Sequence, residues 1–336
     1  MPTSVALASV QESVKIAERE NADVLHVKFM GGEPFLNFSV IRSVVEWLVS
    51  RKSIVRFEAS TITNGTLIKE DIQHWLIKYR DVLKVQLSYD GGADQQFLNR
   101  TNRPVDVRFF LAAFPQQGVH ITISRQTVRY LSQSVLSILN LGGQCSTTVA
   151  FGQDWTVDDA QCYLGELRKL VRAYLSDYKD KDPLPIFEES LDLLGRPPIE
   201  SRACSGGVTY DVDGEKYLCH FFSPLVAGEQ RAVRLSEMEK GREFLHVGGM
   251  DDGSCEGCPL SNLCPKCYGI NYLLTNSTGK RDRAQCIMRF AQILAASEYQ
   301  ILVMDKCRNE EILRRFSSAI QAYKTMRLWC RDLGIL

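Results

Sequence analysis

Val24-Leu-His-Val-Lys-Phe-Met30-Gly31-Gly32-Glu33-Pro34 is a mostly apolar run that breaks into two glycines, a carboxylate and a proline. A run of that length and composition suits a buried strand. Two glycines at a strand end free the backbone to approach a ligand closely. Pro34 has no N–H and fixes the exit of the chain. Upstream, residues 5–20 place Val5, Ala8, Val14 and Ala17 on one apolar stripe, which predicts a helix ending near Asn21.

The same period repeats downstream. Helical spacing over 39–52 (Val40, Ile41, Val44, Val45, Leu48, Val49) precedes an expected strand at 55–62, which ends in Thr63-Asn64-Gly65. A helix over 69–80 and a strand over 84–88 follow, the latter ending in Tyr89-Asp90-Gly91-Gly92. Further pairs are expected: a helix at 105–114 with a strand at 119–124 leading into Arg125, and a helix at 131–141 with a strand at 147–151. A long helix over 157–178 closes the series. Strands that alternate with helices imply parallel β/α units with right-handed crossovers. Ligands in such folds gather at the C-terminal ends of the strands. The polar, glycine-bearing strand ends around Gly31, Asn64 and Asp90 therefore read as parts of one small-molecule site.

A second kind of chemistry begins after a Pro- and charge-rich stretch at 181–200. Cys255-Glu-Gly-Cys258-Pro-Leu-Ser-Asn-Leu-Cys264-Pro-Lys-Cys267 holds four thiols in thirteen residues, with Cys204 and Cys219 upstream and Cys286 downstream. Closely spaced C-x-x-C pairs are poor disulfide candidates and good metal ligands. Sulfur sites of this kind suit zinc or iron–sulfur clusters, and spacing alone leaves both open. A hairpin is expected between Cys204 and Cys219, with strands at 208–211 and 215–218 and a turn at Asp213-Gly214. The expected organisation is β/α units over 1–180, a linker over 181–200, a cysteine-rich module over 201–289 and helices over 290–336. The other cysteines, Cys145, Cys162, Cys307 and Cys330, are scattered and read as small buried hydrophobes.

Charge is balanced at 40 basic and 40 acidic residues, which argues against a dominant nucleic-acid surface. The chain has no run of 18 apolar residues and no basic-then-apolar leader, so no membrane span or export signal is expected. Eleven cysteines without an export signal suit a reducing cytoplasm.

These motifs together resemble radical S-adenosylmethionine enzymes of the SPASM class, peptide and protein maturases related to anaerobic sulfatase-maturing enzymes. Cys204, nine residues, Gly214, four residues and Cys219 match the first part of that class's cysteine pattern. Cys255, Cys258, Cys264 and Cys286 match the rest, and Cys267 follows Cys264 one residue early. The resemblance implies two auxiliary [4Fe–4S] clusters, one on Cys255, Cys258, Cys264 and Cys286, the other on Cys204, Cys219 and Cys267. It implies that Gly31, Gly32, Glu33 and Pro34 receive the amino group of S-adenosylmethionine. Thr63 and Asn64 would form the next strand end of that site, Ser88 would reach the cofactor's carboxylate, and Arg125 would lie at the following strand end. His220, directly after Cys219, is the candidate general base, against the plainer reading of a hydrogen-bonded histidine beside a ligand.

The resemblance also implies a partial (β/α)6 TIM-like barrel joined to a small cysteine-rich iron–sulfur domain. Relatives place C-x3-C-x2-C, which binds the radical-generating cluster, ahead of the Gly-Gly-Glu-Pro strand, whereas no cysteine here precedes Cys145. The expectation is an absent first strand and absent radical-cluster segment, with a third [4Fe–4S] cluster only where that segment exists. The implied partners are a ribosomally made peptide or protein substrate and a redox protein such as flavodoxin or ferredoxin. The alternative is a degenerate partner that keeps the auxiliary clusters and binds peptide or passes electrons for an active maturase.

Overall fold

The computed structural model describes residues 1–51, 55–100, 103–193, 207–240, 253–264 and 267–336. The chain opens with helix α1 (Thr3–Arg19), strand β1 (Val24–Phe29), helix α2 (Phe38–Ser50), strand β2 (Arg56–Thr63), helix α3 (Glu70–Tyr79) and strand β3 (Leu83–Ser88). Two short helices, α4 (Ala93–Asn99) and α5 (Val107–Ala113), lead to strand β4 (Val119–Ile123). Helix α6 (Leu131–Asn140), strand β5 (Cys145–Val149) and helix α7 (Val157–Leu175) complete the alternation. The strands form one five-stranded sheet in the order β1-β2-β3-β4-β5, and β1 to β4 pair in parallel. This is the α/β architecture that the alternating periodicity predicts.

Two compact units make up the chain. The first comprises residues 1–122, 136–146 and 210–216. Its apolar layer joins Ala6, Val10 and Val14 of α1 to Val40, Val44 and Leu48 of α2, with Leu25, Val27 and Phe29 of β1 packed against them. Burying a Val or Leu side chain contributes about 1.5–3 kcal/mol, so this layer fixes which face of β1 turns inward. β1 is therefore not buried throughout, as its composition suggests. Among the described residues it is an edge strand paired with β2, and His26 and Lys28, which alternate with the inward set, are exposed on its other face. The alternation continues across the sheet. Leu83, Val85 and Leu87 of β3 and Val119 and Ile121 of β4 are buried, while Lys84, Gln86, His120 and Thr122 are only half-buried and form a polar face with Ser88.

The second unit comprises residues 123–135, 147–209 and 217–336. Helix α7 starts with a full capping box: Thr156 caps Asp159 N and Asp159 bonds back to Thr156. Its buried face packs on helix α12 (Ala284–Lys306), which also meets α8 (Pro185–Glu188) and α14 (Ala319–Asp332). Phe187 of α8 is fully buried between Tyr174 and Tyr299. The Pro-rich stretch read as a linker thus contributes a core residue. The predicted hairpin forms as a short two-stranded ribbon, β6 (Thr209–Tyr210) and β7 (Lys216–Tyr217). Helices α9 (Pro224–Ala227), α10 (Leu235–Lys240), α11 (Tyr268–Thr275) and α13 (Glu310–Arg315) complete the chain. Among the described residues, no helix is long and apolar enough to cross a membrane.

Candidate functional site

The first strand ends are tied together by one carboxylate. Glu33 Oε1 accepts from the Thr63 hydroxyl at 2.7 Å and from Phe35 N at 3.1 Å, while Oε2 accepts from Asn64 N at 2.8 Å. Glu33 also caps the short 3-10 turn that begins at Pro34. The chain after β1 is thereby fixed to the end of β2 through Glu33, Thr63 and Asn64. Thr63 Oγ1 in turn accepts from Gly65 N, and the Asn64 side chain accepts from Thr66 N and Oγ1. Each carboxylate oxygen has two lone pairs, so the network leaves capacity for a ligand ammonium group. Gly31 has φ +154°, and nothing lies within 4 Å of where a Cβ would stand at Gly31 or Gly32. Both glycines are exposed, so open space borders the backbone just ahead of Glu33. Gly65, with φ +75°, is crowded instead: a Cβ there would meet Val105 at 2.7 Å and Leu87 at 2.8 Å.

Ser88 closes β3 on the polar face, and its partner across the ladder is His120 of β4. Two residues on, Asp90 is 1% exposed and paired with Arg100, Oδ2 to Nε at 2.7 Å and Oδ1 to Nη2 at 3.2 Å. Asp90 Oδ1 also accepts from Thr122 N at 2.9 Å, and Arg100 Nη2 donates to Thr122 Oγ1 at 3.0 Å. The end of β3 is thus pinned to β4 by a satisfied buried ion pair. Sequence reasoning missed α4, whose seven residues carry no apolar stripe, and with it Gln96 and Arg100; it also passed over His120 of β4. The signal for His120 was the alternation Val119-His-Ile-Thr-Ile123, which sets His120 and Thr122 on the face opposite the core.

Arg125 belongs to the second unit, where its Nε donates to Asp159 Oδ2 at 2.8 Å. Burial works against ionisation of Asp159. The N–H and hydroxyl of Thr156 together with Arg125 nevertheless hold its carboxyl below the usual range.

In the cysteine segment, Cys258 N bonds Cys255 O at 3.1 Å, and Cys264 N bonds Leu260 O at 2.8 Å. Burial pushes the Cys286 thiol up to about 11, with Cys264, Cys255 and Cys258 adding to the effect. Burial likewise raises Cys258, with Cys255 and Cys264 contributing. Cys258 and Cys286 thus each lie near enough to Cys255 and Cys264 for those sulfurs to weigh against their ionisation. Cys219 packs against α11: a Cβ on Gly269 would lie 3.1 Å from its sulfur, and Cys267 is the N-cap of that helix. Cys204 lies outside the described residues. His220 opens a short 3-10 turn, with its ring against Phe221 at 4.0 Å. Among the described residues, no three His, Cys, Asp or Glu side chains converge closely enough to hold a metal ion. The donor type fits a thiolate-bound cluster all the same: Cys255, Cys258, Cys264 and Cys286 bring four thiols in partly buried surroundings, and a bound metal would favour their deprotonated form.

No protein-family model matches the chain. An uncharacterized protein of Methanocaldococcus jannaschii is 39% identical over 67 residues, a stretch that spans 20% of this chain and 23% of that relative. The chain thus matches less than a quarter of that relative's length. The structural likeness is broader. A solved structure of native anSMEcpe with bound AdoMet and Cp18Cys peptide superposes with a TM-score of 0.67 at 18% identity, covering 89% of this chain and 91% of that one. Hexahistidine-tagged anSMEcpe with bound AdoMet gives 0.65 at 18% identity over 92% and 88%. Native anSMEcpe with bound AdoMet and Kp18Cys peptide gives 0.64 at 19% identity over 90% of each chain. At such identities the likeness establishes a shared fold.

Proposed function

We propose that this chain is the cofactor- and substrate-binding body of a radical S-adenosylmethionine maturase of the SPASM class, acting on a ribosomally made peptide or protein. The observation that carries the reading is the Glu33 carboxylate. It is held rigid between strand ends and bordered by open space at Gly31 and Gly32, on a fold shared with anSMEcpe that holds AdoMet and peptide. Glu33 would accept the cofactor's ammonium group, Thr63 and Asn64 would hold that carboxylate in place, and Ser88 would meet the cofactor's carboxylate. Arg125 is the further candidate for the cofactor's anionic end.

The influence of Cys255 and Cys264 on Cys258 and Cys286 supports one auxiliary [4Fe–4S] cluster on those four, in a SPASM domain over 201–289. The packing of Cys219 beside the Cys267 helix supports a second, shared with Cys204. When bound, the cofactor and clusters would supply the radical and electron-transfer chemistry, with electrons from flavodoxin or ferredoxin. His220 would take up a proton beside the second cluster. Residues 1–144 contain no cysteine, so no radical-generating cluster is assigned to that stretch.

The test is anaerobic reconstitution of the chain with iron and sulfide, followed by equilibrium dialysis with S-adenosylmethionine. The expected result is about eight irons per chain, with cofactor binding weakened about tenfold or more by Glu33→Gln. Protein that takes up zinc in place of iron, or retains no cofactor, would overturn the reading.

A further inference from the structure

We propose that His120 is a direct ligand contact, donating from Nε2 to the carboxylate of the molecule that Ser88 meets. The inference rests on the reading above, which puts S-adenosylmethionine at Ser88. Four observations within the first unit lead to it.

His120 and Ser88 are cross-ladder partners on adjacent parallel strands, and they share the polar face of the sheet. Neighbouring strands lie about 4.8 Å apart, so a group touching Ser88 is within reach of an imidazole on the next strand. The ring is also anchored from behind. His120 Nδ1 is 3.0 Å from Ser146 Oγ at the start of β5, and its other nitrogen, Nε2, has no hydrogen-bond partner among the described residues. When Nδ1 accepts from the serine hydroxyl, the proton resides on Nε2, which then serves as a donor.

The charge around the ring fits this role. Burial, and then Arg100, lower the His120 pKa, and Asp90 opposes them, so the ring is neutral at physiological pH. Arg100 is spent on Asp90, which leaves neutral donors to receive an anionic group. Finally, α4 brings an unsatisfied buried donor to the end of β3. Gln96 is 4% exposed; its Oε1 accepts from Asp90 N at 3.0 Å, while its Nε2 lacks a partner among the described residues. A buried amide N–H left unmade is costly unless something else accepts from it. Ser88, His120 and Gln96 thus bring three neutral donors to the exit of β3.

The test compares S-adenosylmethionine with its decarboxylated analogue, measured by equilibrium dialysis on the reconstituted chain. His120→Ala should weaken S-adenosylmethionine binding about tenfold and leave the analogue's affinity unchanged. His120→Gln, which keeps a donor, should restore much of the loss. Equal weakening of both ligands would reduce His120 to a structural residue and overturn the proposal, as would no weakening at all. Failure of the wild-type chain to bind either ligand would instead overturn the cofactor reading on which the proposal stands, and His120 with it. A Ser88→Ala variant that discriminates between the ligands while His120→Ala does not would sink the His120 role alone.

Discussion

The strand-end site and the cysteine segment solve opposite problems. At the strand ends, a carboxylate is satisfied by the protein itself: Thr63 Oγ1, Phe35 N and Asn64 N all donate to Glu33. In the cysteine segment, burial and neighbouring sulfurs push the thiol pKa values upward, and the backbone at Leu260 and the charge of Arg281 offset this only in part. Hydrogen-bond donors come free with any backbone turn, whereas a set of thiolates needs a multivalent cation. The first site is shaped by folding alone; on the reading proposed above, the second would be completed by its metal.

The sharpest way to break this contrast is to remove the metal. Cys286→Ser should take out about four of about eight irons, and iron chelation all of them. Either should expose residues 253–286 to limited proteolysis while leaving residues 1–122 resistant. Equal sensitivity of both regions would show that the strand-end site depends on the clusters too.

Next in size is Asp90→Ala, which strands Arg100 and unties β3 from β4. A loss of about 3 kcal/mol in denaturant unfolding is expected, and a loss under about 1 kcal/mol would mean that the pair does not hold the sheet. Gly65→Ala forces a Cβ into a left-handed conformation against Val105 and Leu87, so a loss of about 2 kcal/mol is expected in the same assay. By contrast, Gly32→Ala meets open space and should cost little stability, with its effect confined to cofactor affinity.

A last expectation concerns pH and shows only in alkaline solution. Cys145 and Cys330 are buried and their thiols are pushed from 9.0 up to about 12. Between those values the unfolded chain releases protons that the folded chain keeps. Stability should therefore be intact below pH 9 and fall as pH rises toward about 12. A Cys145→Ala, Cys330→Ala double variant should fall less steeply over that window, as thermal melts would show.

The β/α alternation was legible because its signal is spread over many residues: each strand is a short apolar run and each helix an apolar stripe. What resisted reading was carried by few residues. β1 has an inward set, Leu25, Val27 and Phe29, but composition alone does not reveal that it is an edge, since edge status is a property of its neighbours. α4 is polar through most of its first turn, so the Asp90–Arg100 clamp it delivers had no periodic trace. Phe187 sits in a stretch whose prolines and charges suggest a tether, yet a single aromatic ring buried between two tyrosines makes it part of the core. Glu33, Thr63 and Asn64, which hydrogen bonds join, stood out as candidates because glycines mark them, while His120 lies inside a strand with no such mark.

Asp159 closes the first turn of α7 and at the same time holds Arg125 by its Nε. A long side chain loses up to about 2 kcal/mol of rotamer entropy when it is ordered. For Arg125 part of that loss falls at folding, when the helix cap assembles. An anion that later meets the guanidinium finds a fork already oriented, and binds without bearing the whole cost of stilling it.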